Sequence, residues 1–336
     1  MPKRHNIAVN GLSFSANSGS VLLDAALRQG IKYPHDCRAG RCGTCLTQVR
    51  AGITVGGDCG QPGYVHACQA RVLSDLQIAF DAVPEPVTID ATLSGLNDLA
   101  ADVVELEVSP AKPFEMLPGQ YCRFTFRGFP PRSFSPTVPL VGRNRPGTFR
   151  LQIKRVRDGR VSTQLGKSIG VGHGLTIDGP FGAAYHRPGC EERLVMAASG
   201  TGFAPILAVA DAALKENPQR QMVLIAGARR LQSLYMPAAL GRLSALPNVT
   251  VIAAAEEPQT ESRLVRPGRI EDHLPSLGPA DIVFVAGGPD VVGAVSGRAR
   301  SAGAQVFSDA FEPAEAAGSS IGGLWAKVTG ATSWMQ

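Results

Sequence analysis

Apolar and polar positions alternate in two short runs on either side of Asn10-Gly11, a pair that predicts a two-residue hairpin turn. Helical spacing follows over 20–29, and then comes a loop dense in cysteine and glycine. Past Ala82 the string Val-Pro-Glu-Pro reads as a stiff, exposed linker and marks a boundary. From Val87 to about His186 the pattern is β-rich. Strands are expected over 103–108, 120–126, 149–153 and 175–178, separated by prolines and glycines, which fits an antiparallel barrel or sandwich. From Arg193 onward, unbroken apolar runs starting at Leu194, Val223, Val249 and Ile282 are interleaved with helical stretches, the pattern of buried parallel strands joined by crossover helices. The Ala/Gly/Ser-rich segment after Pro313 fits neither scheme and is expected to be a flexible or loosely docked extension.

Composition narrows the class. The chain has 336 residues, enough for two or three cores rather than one. Its 38 glycines, 25 prolines, 44% hydrophobic and 18% charged residues describe a turn-rich globular protein, neither coiled coil nor disordered. No run approaches the roughly 18 apolar residues of a spanning helix, and no apolar signal region follows the basic start, so a cytoplasmic protein without a membrane partner is expected. The charge of +5 is mild, spread out and little interleaved with aromatics. That argues against nucleic acid and for attraction to acidic partners. In a reducing compartment, seven unevenly spaced cysteines are metal ligands or free thiols before they are disulfides.

Cys37, Cys42 and Cys45 stand at C-x4-C-x2-C in Cys37-Arg-Ala-Gly-Arg-Cys-Gly-Thr-Cys45, with Cys68 downstream in His66-Ala-Cys-Gln69. This is the plant-type 2Fe–2S spacing. Four thiolates have to converge on a compact cluster, and Gly40 and Gly43 let the backbone wrap closely while its N–H groups reach the sulfurs. A zinc knuckle is the plainer alternative, but zinc sites usually show two C-x2-C pairs and one is present here. Cys59 competes for the fourth position; the His-Ala-Cys-Gln setting, where such ferredoxins put their last ligand, favours Cys68. Cys59, Cys122 and Cys190 then remain ordinary thiols.

Arg132-Ser133-Phe134-Ser135 follows a predicted strand and a Pro-Pro turn, and resembles the Arg-x-Tyr-Ser flavin motif of the ferredoxin–NADP reductase superfamily. The residue types suit that task. An arginine fork neutralises phosphates, an aromatic ring covers the flavin face, and a small hydroxyl reaches the reactive N5 edge. Phe134 replaces the usual tyrosine, so a phenolic hydrogen bond to the ribityl chain is lost. Lys154 closes a predicted strand, and Gly159-Arg-Val161-Ser162-Thr163 is expected to open a helix whose free N–H groups make an anion site. Asp178-Gly179-Pro180-Phe181-Gly182 resembles the superfamily's Gly-Pro-aromatic-Gly turn beside the same cofactor. The resemblance implies FAD, with FMN as the alternative.

Ala198-Ser-Gly200-Thr201-Gly202-Phe-Ala-Pro205 lies between a buried-strand run and a helix, where glycines bring the backbone close to a pyrophosphate. It departs from G-x-G-x-x-G and resembles the superfamily's Gly-Thr-Gly-x-Ala-Pro; a glycine-rich helix start with no ligand is the bland alternative. Arg229, Arg230 and Tyr235 fall where the superfamily handles the adenosine end. Ser233 stands where NADH-preferring relatives often carry an acid, and the two arginines are able to meet a 2′-phosphate, so NADH is expected with NADPH left open. Phe284-Val-Ala286-Gly287-Gly288-Pro289 resembles the Cys-Gly-Pro turn near the nicotinamide, with Ala286 in place of the cysteine. Ser308-Asp-Ala-Phe311 resembles the Asp-Ala-Phe end of naphthalene-dioxygenase-type reductases, so Phe311 either shields the flavin or packs the last strand.

The order of these motifs resembles the reductase component of bacterial multicomponent aromatic-ring dioxygenases. That resemblance implies a multidomain α+β and α/β chain: a β-grasp 2Fe–2S ferredoxin domain over 1–84, an antiparallel β-barrel FAD domain over 85–187, a doubly wound parallel-sheet NAD(P)H domain over 188–313, and the tail 314–336. It further implies an NAD(P)H oxidoreductase in which hydride passes to the flavin, with Ser135 as the catalytic contact. Electrons then pass through the cluster to a Rieske ferredoxin or terminal oxygenase. Arg38, Arg41 and Arg71 are expected to meet acidic groups of that acceptor. A reductase of a diiron monooxygenase or of a deoxysugar pathway is the alternative within the architecture. A redox sensor or electron-transfer subunit without turnover is the alternative outside it, favoured by the Phe134 and Ala286 departures.

Overall fold

The structure, a computed structural model, describes residues 3–142, 145–257 and 264–311; the expected tail over 314–336 lies outside the described residues.

The first domain contains β1 (Arg4–Val9), β2 (Leu12–Asn17), α1 (Leu22–Arg28), β3 (Leu46–Ala51), β4 (Thr54–Val55), β5 (Tyr64–His66), β6 (Arg71–Val72) and β7 (Leu76–Ala79). Asn10 and Gly11 take φ of 47° and 83°, the mirror-image turn whose twist matches a hairpin. The five-stranded sheet runs β2-β1-β7-β3-β5, with β1 and β7 parallel and the other pairs antiparallel. Helix α1 buries Leu22, Leu23, Ala25 and Ala26 in the domain's own core with Ile7, Val9 and Ile78. Strand and helix faces both follow the apolar period.

The second domain is a six-stranded antiparallel barrel formed by β8 (Val87–Ala100), β9 (Val103–Pro110), β10 (Tyr121–Phe126), β11 (Arg132–Phe134), β12 (Phe149–Lys154) and β13 (Gly174–Phe181) in the order β11-β10-β13-β8-β9-β12. Paired bonds between Thr137 and Arg150, of 2.8 and 3.2 Å, bring its two ends together. Inward-facing Leu93, Leu106, Phe124, Phe126, Leu151 and Ile177 are fully buried. Each contributes roughly 1.5–3 kcal/mol relative to exposure. Strand β8, fourteen residues long, had no clear sequence signal because its exposed positions interrupt the alternation.

The third domain holds β14 (Arg193–Ser199), α2 (Phe203–Glu216), β15 (Met222–Arg230), α3 (Pro237–Ser244), β16 (Val249–Glu257), β17 (Val265–Pro267), β18 (Asp281–Gly287), α4 (Pro289–Ser301) and β19 (Gln305–Ala310). Its parallel sheet runs β17-β16-β15-β14-β18-β19. The chain order reverses between β14 and β18, so a crevice opens beyond their carboxyl ends, the position where such sheets take ligands. The helix expected from Gly159 does not form: one 3-10 turn, Ser162–Gln164, is present. The hydroxyls that were to face an anion bind their own loop instead. Ser162 Oγ accepts from Val156 N–H at 3.1 Å, and Thr163 Oγ1 donates to the Gly159 carbonyl at 2.7 Å. No described helix is long and apolar enough to cross a membrane.

Candidate functional site

Backbone conformation shapes the cysteine loop. Arg38, Gly40 and Gly43 take φ of 54°, 71° and 69° and fold 37–45 back on itself. The N–H groups of Ala39 and Cys42 each point at Cys37 Sγ from 3.4 Å, and Thr44 Oγ1 donates to Cys42 Sγ at 3.2 Å. Burial raises the pKa of the Cys37 thiol, but the backbone donors outweigh it and hold the group below its ordinary value. Cys45 is raised by burial and by Cys68 and Cys42, so each cysteine of the set feels the next. Cys68 lies beside Cys45, whereas Cys59 donates to the Tyr64 carbonyl at 3.4 Å within its own loop. Among the described residues no three His, Cys, Asp or Glu side chains stand grouped as the ligands of a single ion. Four neighbouring soft thiols with N–H donors aimed at sulfur nonetheless fit a 2Fe–2S cluster.

The flavin segment is built on adjacent strands. Strand β10 lies between β11 and β13, pairing Cys122 with Phe134 on one side and Tyr121 with Phe181 on the other. Arg132-Ser133-Phe134 and the Gly179–Gly182 turn are therefore next-but-one neighbours. The Phe134 ring packs on Phe124 at 5.9 Å, and Arg132 donates to the Pro131 carbonyl at 2.7 Å. Ser135 is buried, and its hydroxyl donates to Asp309 Oδ2 at 3.2 Å. Burial pushes the Asp309 carboxyl up to about 6, against the Ser135 hydrogen bond. Asp309 stands inside the Ser308-Asp-Ala-Phe311 string, but no local pattern marks it as the partner of Ser135. Thr137 Oγ1 and Gln152 Nε2 on this seam are buried without a partner, as polar groups awaiting a ligand would be. Lys154 is exposed and pairs with Asp102 at 3.6 Å, and Val161 belongs to the barrel core.

At the switch point, two turns meet. A Cβ on Gly202 would come within 2.2 Å of the Ala286 carbonyl, and one on Gly287 within 2.1 Å of Ser199 Oγ, so glycine is required at both. Ser199 Oγ accepts from the Gly288 N–H at 2.9 Å, and the Phe311 N–H donates to the Gly287 carbonyl at 2.8 Å. Gly200, Thr201 and Gly202 lead into α2 with Pro205 in its first turn, while Gly287 ends β18 and Pro289 starts α4. The amino-terminal ends of α2 and α4 therefore meet at the crevice, the arrangement that suits a pyrophosphate. Arg229 and Arg230 lie apart, on the single carboxylate of Glu257 at 2.8 and 3.7 Å. Tyr235 is buried, donating to Gln152 Oε1 at 2.6 Å across the barrel seam. A hollow lined by Thr54, Val55, Gly56, Asp58 and residues 60–65 opens on the ferredoxin domain.

The cluster loop also touches the flavin domain. The Gly182 N–H donates to Thr44 Oγ1 at 2.9 Å. Asp36 accepts from Tyr121 OH and from Arg123 Nη2, both at 2.6 Å, and Arg123 Nη1 reaches Asp178 at 2.6 Å. Nothing in the sequence flagged Asp36, Tyr121 or Arg123.

Comparison with known proteins agrees with this layout. The 2Fe-2S iron-sulfur cluster binding domain matches residues 6–73, the oxidoreductase FAD-binding domain 91–186 and the oxidoreductase NAD-binding domain 196–296. The reductase component of the Ralstonia naphthalene 1,2-dioxygenase/salicylate 5-hydroxylase systems is 30% identical over 90% of this chain and 96% of its own length. The xylene/toluene monooxygenase electron transfer component of Pseudomonas putida is 32% identical over 70% of each chain. A solved ferredoxin reductase of carbazole 1,9a-dioxygenase shares the fold, with a TM-score of 0.63 at 24% identity over 93% of this chain and 99% of that one. Thirty per cent identity to the first relative along nearly the whole of both chains, with matches to all three cofactor-binding domains, means that this chain belongs to the ferredoxin–NAD(P)(+) reductase components of oxygenase systems.

Proposed function

We propose that the chain oxidises NAD(P)H and delivers the electrons to a Rieske ferredoxin or terminal oxygenase of an aromatic-ring-hydroxylating dioxygenase system. The observation that carries this is the order of contacts. Thr44 and Asp36 join the cysteine loop to the flavin barrel, and Ser135 and Asp309 join the barrel to the nicotinamide domain. Bound FAD would supply two-electron hydride acceptance and a 2Fe–2S cluster single-electron acceptance.

The chain's own residues supply alignment and exclusion of water. Cys37, Cys42, Cys45 and Cys68 would hold the cluster. Arg132, Ser133, Phe134, Gly179, Pro180, Phe181 and Gly182 would line the FAD. Ser135 donates a hydrogen bond to Asp309 Oδ2 while that carboxyl is ionised, and is freed to donate elsewhere when Asp309 is protonated, below about pH 6. Gly200, Thr201, Gly202, Gly287, Gly288 and Pro289 would take the nicotinamide nucleotide, with Phe311 closing the crevice from the last strand. Glu257 holds both Arg229 and Arg230, which supports NADH over NADPH. Cys37, Arg38, Ala39 and Arg41 form the exposed side of the cysteine loop, where Arg38 and Arg41 would meet acidic groups of the acceptor; Arg38 also pairs with Asp24 at 3.2 Å, and Arg71 spends one donor on the Gly19 carbonyl. A cytoplasmic location belongs to this reading.

Anaerobic titration of the purified protein with NADH and then NADPH tests it. Flavin and iron–sulfur absorbance should both bleach, with NADH the better donor; a loaded protein that neither nucleotide bleaches contradicts it. A monooxygenase client is the second reading, favoured by the 32% identity to the xylene/toluene component. Transfer rates to the two kinds of acceptor separate them.

A further inference from the structure

The cysteine loop has two unlike sides. On one, Cys37, Arg38, Ala39 and Arg41 are exposed. On the other, two separate contacts from the flavin domain reach the loop, one at Cys42 through Thr44 and one at Asp36. The first is a hydrogen-bonded relay: the Gly182 N–H donates to Thr44 Oγ1 at 2.9 Å, and the same hydroxyl donates to Cys42 Sγ at 3.2 Å. The second is aromatic. Phe181 of the flavin turn lies 5.7 Å from the Tyr121 ring, and the Tyr121 hydroxyl donates to Asp36 at the start of the loop at 2.6 Å. Asp36 fixes the loop in this pose through Tyr121 and Arg123, and a Cβ on Gly43 would already press on Ala183 at 3.3 Å.

We propose that electrons enter the cluster domain through Cys42, that Thr44 is the positioning residue for that step, and that they leave by the exposed Cys37 side. This rests on the functional reading above. One electron crosses per event, from the reduced flavin to the oxidised cluster. No atom moves with it, and no bond forms or breaks across the interface. A single hydroxyl is suited to the task because it accepts from one domain and donates to a ligand sulfur of the other, so it fixes the separation of the two and stabilises charge on that sulfur. The exit side then stays open to an acceptor while the input side remains docked, and the domain need not swing between partners.

The test compares the full-length holoprotein with its Thr44→Val and Thr44→Ser variants. In anaerobic rapid mixing with NADH, Thr44→Val should slow cluster bleaching relative to flavin bleaching by about tenfold, the effect of losing one charge-assisted hydrogen bond. Redox titration should show a lower cluster potential in Thr44→Val, and hydrogen exchange should show loss of protection at the Gly182 amide. Thr44→Ser should restore all three. Should the valine variant misfold, Tyr121→Leu tests the aromatic contact and should slow the same phase. Unchanged cluster bleaching, potential and exchange in Thr44→Val, with both cofactors bleaching normally in the parent, would overturn the proposal alone. Failure of NADH to bleach the parent would overturn the functional reading and this inference with it.

Discussion

The two seams of the molecule are made differently. Between the barrel and the nicotinamide domain the core is continuous: Val103 and Leu140 of the barrel are buried in the same cluster as Leu194, Phe203 and Tyr235. Between the ferredoxin domain and the barrel the contacts are mainly polar and half-buried, Asp36 to Tyr121 and Arg123, Thr44 to Gly182, and Asp81 to Tyr185 and Arg187, with Leu46 packed from the ferredoxin side onto the edge of that cluster. The ferredoxin core draws all of its buried members from its own residues. Apolar burial is strong and indifferent to salt, whereas part-exposed ion pairs are individually weak and screened by it. Hydride transfer, which needs near-contact geometry, is served by the rigid seam, and electron transfer to the cluster is served by the polar one.

The hardest break empties one side. Cys45→Ser should abolish the cluster spectrum and reduction of the physiological acceptor while NADH still bleaches the flavin, as spectra and turnover with ferricyanide would report. On the other seam, Ser135→Ala should lower the rate of flavin reduction by about 10²- to 10³-fold, the usual loss for one donor at a site of developing charge.

Asp309 adds a pH dependence. Its carboxyl is raised from 3.8 to about 6, so the folded chain keeps a proton that the unfolded chain releases. Stability therefore falls as pH rises between about 4 and 6, and the penalty is fully present above 6. Melting curves of Asp309→Asn should lie above those of the parent above pH 6 and converge with them below pH 4, and the variant's rate of flavin reduction should lose its step near pH 6. Arg123→Met, which removes both carboxylate contacts of a part-exposed guanidinium, should slow cluster bleaching only about threefold and reduce its salt dependence. Parallel melting curves and salt titrations would detect either effect's absence.

What the sequence made legible was local. The cysteine spacing, the Gly200–Gly202 and Gly287–Pro289 turns and the alternation of the strands are patterns within a few residues, and each depends on backbone chemistry that residue type alone dictates. The seams are not local. Asp36 meets Arg123 across 87 positions and Ser135 meets Asp309 across 174, pairings that no periodicity encodes. The helix expected after Gly159 failed for a related reason: Ser162 and Thr163 are good capping residues, but their hydroxyls were already claimed by the loop backbone.

The most direct measurement is anaerobic rapid mixing of the loaded protein with NADH at low and high ionic strength, following the flavin and iron–sulfur bands separately. The account predicts that the flavin bleaches first at a rate salt leaves alone, and that the cluster follows in a second phase that salt slows. Cluster bleaching ahead of the flavin, or equal salt sensitivity of both phases, would contradict it.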